Sequence, residues 1–150
     1  MGRIIDTVQE SLTSQDWHFE RNNERNLIKT GVKGKNASFT MYFDAREDQE
    51  QLFLYIMCPN HVPEDMRVAA AEFLTRVNYG LKIGNFEMDM DGGEVRYKVS
   101  VDVEGTTLTP IMVRNMLGCA IPMTDRYFPG LMAICYGGKS ASDAIRQIEP

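Results

Sequence analysis

The chain has 150 residues, of which 43% are hydrophobic and 25% are charged, so a single domain over residues 1–150 with an ordinary hydrophobic core is expected. Its formal charge of −5 at pH 7 argues against a dedicated nucleic-acid binder, because such proteins normally present a basic surface to phosphate groups. Three cysteines outside any Cys-x-x-Cys motif, and an N-terminus without the apolar core of a signal peptide, indicate reduced thiols and a cytoplasmic protein.

The first half of the chain predicts a helix, a series of strands and a second helix. Apolar residues recur at helical spacing over residues 3–14, which indicates an amphipathic helix. Four β-like runs separated by turn-forming or charged residues then predict antiparallel strands joined by hairpins: Trp17–Glu20, Leu27–Lys33, Ser38–Asp44 and Gln51–Cys58. Pro63 occupies the first position of the second predicted helix, and Gly80 ends it.

The acidic stretch that follows predicts a hairpin and no calcium loop. Glu87, Asp89 and Asp91 precede a Gly-Gly pair, but a calcium loop that starts at Glu87 places Lys98 where a bidentate Glu is required. Apolar residues alternate with the three carboxylates, as they do in a half-buried strand. The carboxylates are therefore expected on the exposed face of that strand.

Charge pairing predicts the register of this hairpin. With Gly92–Gly93 as a two-residue loop, Asp89 lies opposite Arg96, Glu87 opposite Lys98, and the apolar residues face one another. A loop at Asp91–Gly92 places Asp89 opposite Glu94, and like charges directly opposite are unfavourable. The first register is the predicted one.

The remainder of the chain predicts helices. Thr109–Pro110 marks a helix start, and Gly118, Pro122 and Pro129 are expected to break the helical segment that follows. Ser140 is expected to cap a final helix over Ala141–Ile148. This order of elements has no regular strand–helix alternation, so the predicted fold is α+β, an antiparallel sheet flanked by helices.

The chain lacks the motifs of common catalytic and cofactor sites. Gly137–Ser140 has the end of a P-loop sequence but not its first glycine, and Ser140 is better explained as a helix cap. His18 and His61 are the only histidines and have no metal-ligand partner at motif spacing. No catalytic, cofactor-binding or metal-binding residue is assigned, and no cofactor is expected.

The strand Gln51–Cys58 is apolar on both faces. If its even-numbered residues face the helices, Phe53, Tyr55 and Met57 lie on the other face of the sheet, with Tyr42 nearby. Two interpretations remain open. These residues form a partner-binding surface, or another segment of the same chain covers them.

The segment Ile111–Tyr136 carries only three charged residues and is apolar on nearly all sides. It is predicted to be a pair of helices that are either deeply buried in the core or part of a dimer interface, and its charges and prolines disfavour a membrane span. The candidate residues are Ile111, Met112, Met116, Tyr127, Phe128 and Leu131.

The segments NYGLKIGNFEMDMDGGEVRYKVS (Asn78–Ser100) and Thr109–Tyr136, which includes most of DRYFPGLMAICYG, resemble the YbjN family, described as bacterial sensory transduction regulators. The resemblance covers most of the chain. It implies a fold like that of type III secretion chaperones, a homodimer, a protein partner and no catalysis.

The sequence is compatible with three functions. The favoured one is a non-enzymatic adaptor or regulatory module of the YbjN type. The alternative is a small-ligand sensor or enzyme with a pocket between sheet and helices. The third is nucleic-acid binding through the basic side chains of residues 21–35, near Trp17 and Phe19, although a solvated strand face is the preferred interpretation of that segment.

Overall fold

The computed structural model describes residues 2–150, which form one antiparallel sheet with helices packed on one of its faces. The strand order is β1-β2-β3-β4-β6-β5. The strands are β1 (Phe19–Asn22), β2 (Leu27–Lys33), β3 (Ser38–Arg46), β4 (Gln51–Met57), β5 (Asn85–Met88) and β6 (Val95–Asp102). The helices are α1 (Arg3–Ser14), α2 (Arg67–Gly80), α3 (Pro110–Gly137) and α4 (Ala141–Ile148). The predicted α+β class is confirmed.

Local signals locate several helix ends correctly. The α1 and α4 helices have the predicted bounds, and the Ser140 hydroxyl accepts a hydrogen bond from the Asp143 N–H at 3.1 Å. Thr109 caps α3 in the same way. The second helix starts later than predicted, because a 3-10 turn over Glu64–Met66 separates Pro63 from α2.

The pleat of the sheet separates a buried face from an open one. Leu52, Leu54 and Ile56 of β4 are fully buried against the helices, while the residues between them are half-buried on the opposite side. All helix-to-sheet packing involves the buried face. The side of the sheet opposite the helices is called the open face below.

The predicted break of the third helical segment is wrong. α3 runs without interruption through Gly118, Pro122 and Pro129. Pro129 has no N–H to donate to the Asp125 carbonyl one turn earlier, and such an unpaired carbonyl normally weakens a helix. The side-chain amide of Asn36, in the β2–β3 loop, donates to that carbonyl at 2.9 Å, so a partner from another element replaces the missing bond.

The Asp125 carboxylate strengthens the same junction. It accepts hydrogen bonds from the backbone N–H groups of Lys35 and Asn36, at 3.0 and 2.9 Å. A Cβ atom at Gly34 would overlap an oxygen of this carboxylate, so a larger residue there would displace the Asp125 side chain from its two backbone donors. The β2–β3 loop and the middle of α3 are therefore held together by one buried aspartate.

The predicted register of the β5–β6 hairpin is also wrong. Glu87 pairs with Arg96, and the Asp89 N–H donates to the Glu94 carbonyl at 2.9 Å, which is the register with Asp89 opposite Glu94. Glu87 nevertheless finds opposite charges, because it forms ion pairs with both Arg96 and Lys98. The rejected register therefore satisfies the charges of Glu87 as well as the predicted one would.

The loop chemistry explains this register. The Asp89 side chain accepts from the Asp91 N–H at 3.0 Å and its carbonyl accepts from the Gly93 N–H at 2.7 Å, which folds a turn longer than the two residues expected. Gly93 has a positive φ of 78°, and its carbonyl accepts from the Val62 N–H. Asp89 serves the turn instead of pairing with Arg96.

Candidate partner-binding surface

An aromatic cluster occupies the centre of the open face. It consists of Tyr42 on β3 and of Phe53, Tyr55 and Met57 on β4, and the alternation of the strands places all four on this face, as predicted. Tyr42 lies directly opposite Tyr55. The rings of Phe53 and Tyr55 stack with an interplanar angle of 5° at 6.1 Å between centroids. These four residues are called the aromatic stripe below.

Two arginines lie against the aromatic stripe. The Arg96 guanidinium is 4.2 Å from the centre of the Tyr55 ring, and that of Arg46 is 5.9 Å from the Phe53 ring. Both are cation–π arrangements, and aromatic and arginine side chains are enriched in protein interfaces. Sequence reasoning missed Arg96 because it did not establish that β6 lies beside β4, and it missed Arg46 because the predicted third strand ended at Asp44.

Glu87 fixes the position of Arg96. Its carboxylate lies 2.5 Å from the Arg96 guanidinium and 3.1 Å from the Lys98 ammonium. Partial burial raises the pKa of Glu87, but hydrogen bonds and charges from Arg96 and Lys98 outweigh the burial and hold its pKa below the usual value. The stripe therefore has an ordered, charged rim on the β5–β6 side.

The candidate helix residues lie mainly in the core of the chain itself. Met116, Tyr127, Phe128 and Leu131 are buried, Met112 is half-buried, and Ile111 is 57% exposed. Edge-on contacts join the Tyr127 ring to Phe86 and the Phe128 ring to Phe39. Of the two interpretations of this segment, a helix buried in the core of the chain describes the four buried candidates, Met116, Tyr127, Phe128 and Leu131.

The basic segment is divided between several locations. Arg21 forms an ion pair with Asp6 and a hydrogen bond with Gln9, both on α1. Lys29 and Lys33 project from β2 on the open face, on the other side of the sheet. The basic side chains do not form one continuous patch beside the aromatic residues at 17 and 19.

Sequence reasoning also missed an apolar groove beside β6. It has a volume of about 260 Å³ and runs between β6, α3 and the loop before β5. Its lining residues are Ile83, Val99, Ser100, Val101, Met112, Asn115, Met116 and Cys119. No sequence pattern marks it, because it depends on where β5 begins.

Two further features concern metal ligands and membrane-spanning helices. The described residues contain no cluster of three or more His, Cys, Asp or Glu side chains that could hold a metal ion. None of the helices within residues 2–150 is long and apolar enough to cross a membrane.

Comparisons with known proteins identify the relatives of this fold. The model of the YbjN family, described as "Putative bacterial sensory transduction regulator", matches residues 5–132. The crystal structure of YbjN from E. coli, described as "a putative transcription regulator", is similar with a TM-score of 0.60 and 11% identity, over 92% of each chain.

A second solved structure has a similar fold. A chain of the HopA1–SchA chaperone–effector complex is similar with a TM-score of 0.51 and 13% identity, over 78% of this chain and 86% of that one. Both structural similarities concern the fold. No protein of curated function matches the sequence.

Proposed function

The chain belongs to the YbjN family, and from that premise we propose that it is a non-enzymatic adaptor or regulatory module that binds a protein partner on its open face. The observation that carries the proposal is the aromatic stripe. An antiparallel sheet normally presents polar residues to water on the face that no helix covers. Here four apolar or aromatic side chains occupy the middle of that face.

The geometry of the stripe supports a contact surface for protein. Stacked rings offer a rigid area that loses little conformational entropy on binding, and the two arginines keep the rim polar. The fold similarity to a chaperone–effector complex is consistent with binding a segment of another protein. The open face provides the area for such a segment, because every helix packs on the opposite side.

We also propose a homodimer in the cytoplasm. The burial of Met116, Tyr127, Phe128 and Leu131 leaves Ile111 as the exposed apolar residue of the candidate helix set, at the start of α3. The free thiols of the three cysteines are consistent with a reducing compartment. Light scattering on the wild type and on Ile111→Asp tests the dimer: a wild-type dimer that the variant converts to a monomer is expected, and a wild-type monomer contradicts it.

Site-specific photo-crosslinking tests the partner surface. A photoreactive phenylalanine analogue replaces Tyr55 in one protein and Tyr79, which is 96% exposed on α2, in a control. Crosslinking in living cells should yield the same partner repeatedly at position 55 and not at position 79. Tyr55→Ala should then reduce the yield of that complex, while Tyr79→Ala leaves it unchanged.

Two results would contradict the proposed function. One is crosslinking at position 79 that equals that at position 55. The other is retention of the complex by a folded Tyr55→Ala protein. A thermal unfolding curve for each variant establishes that lost binding is not lost folding.

A further inference from the structure

One edge of β6 is left without a partner strand. β5 pairs with β6 only from Val95 to Lys98, and its first residue, Asn85, lies opposite Lys98. β6 continues to Asp102 and pairs there with β4 on its other side. Residues 99–102 thus pair on one side only within the described part of the chain.

The backbone groups of Ser100 and Asp102 point to this unpaired edge. The Val95 carbonyl accepts from Cys58, and the Val103 N–H donates to Glu50, so the odd-numbered residues of β6 direct their backbone groups towards β4. Successive residues of a strand direct these groups to opposite sides. Ser100 and Asp102 therefore offer N–H and C=O groups at the spacing that an added strand requires.

A side chain occupies the backbone groups at the outer edge of β5, but none does so at the unpaired edge of β6 within residues 2–150. On the outer side of β5, the Asn78 side chain accepts from the Phe86 N–H at 2.8 Å and donates to the Phe86 carbonyl at 2.9 Å. A side chain thus closes that edge against further strands. Ser100 is exposed, and no side chain of residues 2–150 forms a comparable pair of hydrogen bonds with its backbone.

The apolar groove lies beside the unpaired edge, on the buried side of the sheet. Val99 and Val101, the inward-facing residues of this stretch, form one wall, and Met112, Met116 and Cys119 of α3 form the other. A strand placed along the edge would direct every second side chain to the same side as these valines. Its inward side chains would enter the groove.

We propose that an extended segment of a partner protein adds to β6 as a strand along residues 99–102 and places aliphatic side chains in the groove. The residue of the segment opposite Asp102 is Lys or Arg, because Asp102 lies on the outward side and Glu104 is close to it in sequence. The inference rests on the proposed function in assuming a protein partner. The edge and the groove use backbone groups and side chains that are not part of the aromatic stripe, although Ser100 lies beside Phe53.

A phage-displayed library of random ten-residue peptides provides the probe. Peptides selected on the wild-type protein should alternate aliphatic and polar residues and carry a basic residue next to the aliphatic pair. With a selected peptide made synthetically, hydrogen exchange followed by NMR should slow at the amides of Ser100 and Asp102. The half-buried thiol of Cys119 should also react more slowly with iodoacetamide.

Matched variants locate the binding site. Ser100→Pro removes the N–H at the unpaired edge without removing a bond to β4, so peptide affinity should fall about tenfold or more. Ser100→Ala keeps the N–H and should bind like the wild type. Cys119→Phe fills the groove from α3 and should also weaken binding, which gives a second test if Ser100→Pro does not fold. Tyr55→Ala should retain binding.

Several outcomes would overturn the inference. Peptides that Tyr55→Ala loses and a folded Ser100→Pro keeps bind the open face, which supports the proposed function and rejects the edge site. Slow exchange at Ser100 that depends on protein concentration alone identifies a second copy of the chain as the occupant. A library that yields no peptide rejects the edge site, while crosslinking at position 55 still decides the proposed function.

Discussion

The hydrogen bond from the Asn36 side chain to the Asp125 carbonyl predicts an energetic coupling between Asn36 and Pro129. In the wild type, Asn36→Ala leaves this carbonyl without its partner, because Pro129 has no N–H to offer. An unsatisfied buried acceptor costs about 1–3 kcal/mol, and the lower end is expected because Asn36 is exposed and water can approach. In a Pro129→Ala background, the restored N–H can donate to the carbonyl, so Asn36→Ala should cost about 1 kcal/mol less.

Urea unfolding of the wild type, the two single variants and the double variant measures this coupling. The free energy of unfolding is compared only if the dependence on urea is the same in all four proteins. Equal costs of Asn36→Ala in the two backgrounds, within about 0.3 kcal/mol, would show that Asn36 does not replace the bond lost at Pro129.

Two further predictions concern the β5–β6 turn and alkaline pH. Gly93→Ala should destabilise the fold by at least about 2 kcal/mol more than Gly105→Ala. Both glycines have a positive φ, but only a Cβ at position 93 would overlap the Val62 carbonyl. Equal losses of unfolding free energy in urea would refute this close approach. Burial and the hydrogen bond to Glu149 raise the pKa of Tyr127 to about 12. The contribution of the neutral Tyr127 side chain to stability is therefore present below the unfolded pKa of about 10 and is lost as the pH rises towards 12. The difference in unfolding free energy between wild type and Tyr127→Phe should shrink over that range, and a constant difference would contradict the prediction.

Local signals predicted the elements whose ends depend on nearby residues. The α1 and α4 helices follow from their apolar spacing and, in α4, from the Ser140 cap. The proline rule failed in α3 because the partner that replaces the lost bond, Asn36, lies 89 residues away from Asp125. A rule based on neighbouring residues cannot anticipate a hydrogen bond donated by a distant loop.

The prediction of the β5–β6 register was wrong for a different reason. The prediction compared the charges of the two strands, but Glu87 finds opposite charges in either register. The register is determined by the turn, in which Asp89 accepts hydrogen bonds from the N–H groups of Asp91 and Gly93. A comparison that included the local bonding of the aspartate side chain would have favoured the register observed.

The candidate site was partly predictable. Alternation along β4 placed Phe53, Tyr55 and Met57 on the open face, because side-chain direction in a strand depends only on sequence parity. The edge of β6 was not predictable. The edge is unpaired because β5 is shorter than β6. The turn at Gly84, immediately before Asn85, sets where β5 begins, and the composition of the two strands does not indicate this.

The aromatic stripe and the unpaired edge are parts of one continuous surface. Ser100 lies directly beside Phe53 across the β4–β6 pair, and Lys98 lies beside Tyr55. A strand added along residues 99–102 would place its outward side chains one strand away from the stripe. A partner segment could therefore bind the edge with its backbone and reach the stripe with the residues that follow.

This continuity has a consequence for mutational tests. Two linked contacts reinforce each other through effective concentration, so removing one weakens binding without abolishing it. Short selected peptides should depend on Ser100 alone, whereas an intact partner should show intermediate losses with Ser100→Pro and with Tyr55→Ala, and a greater loss with both. A partner that depends wholly on one position would show that the two surfaces bind separately.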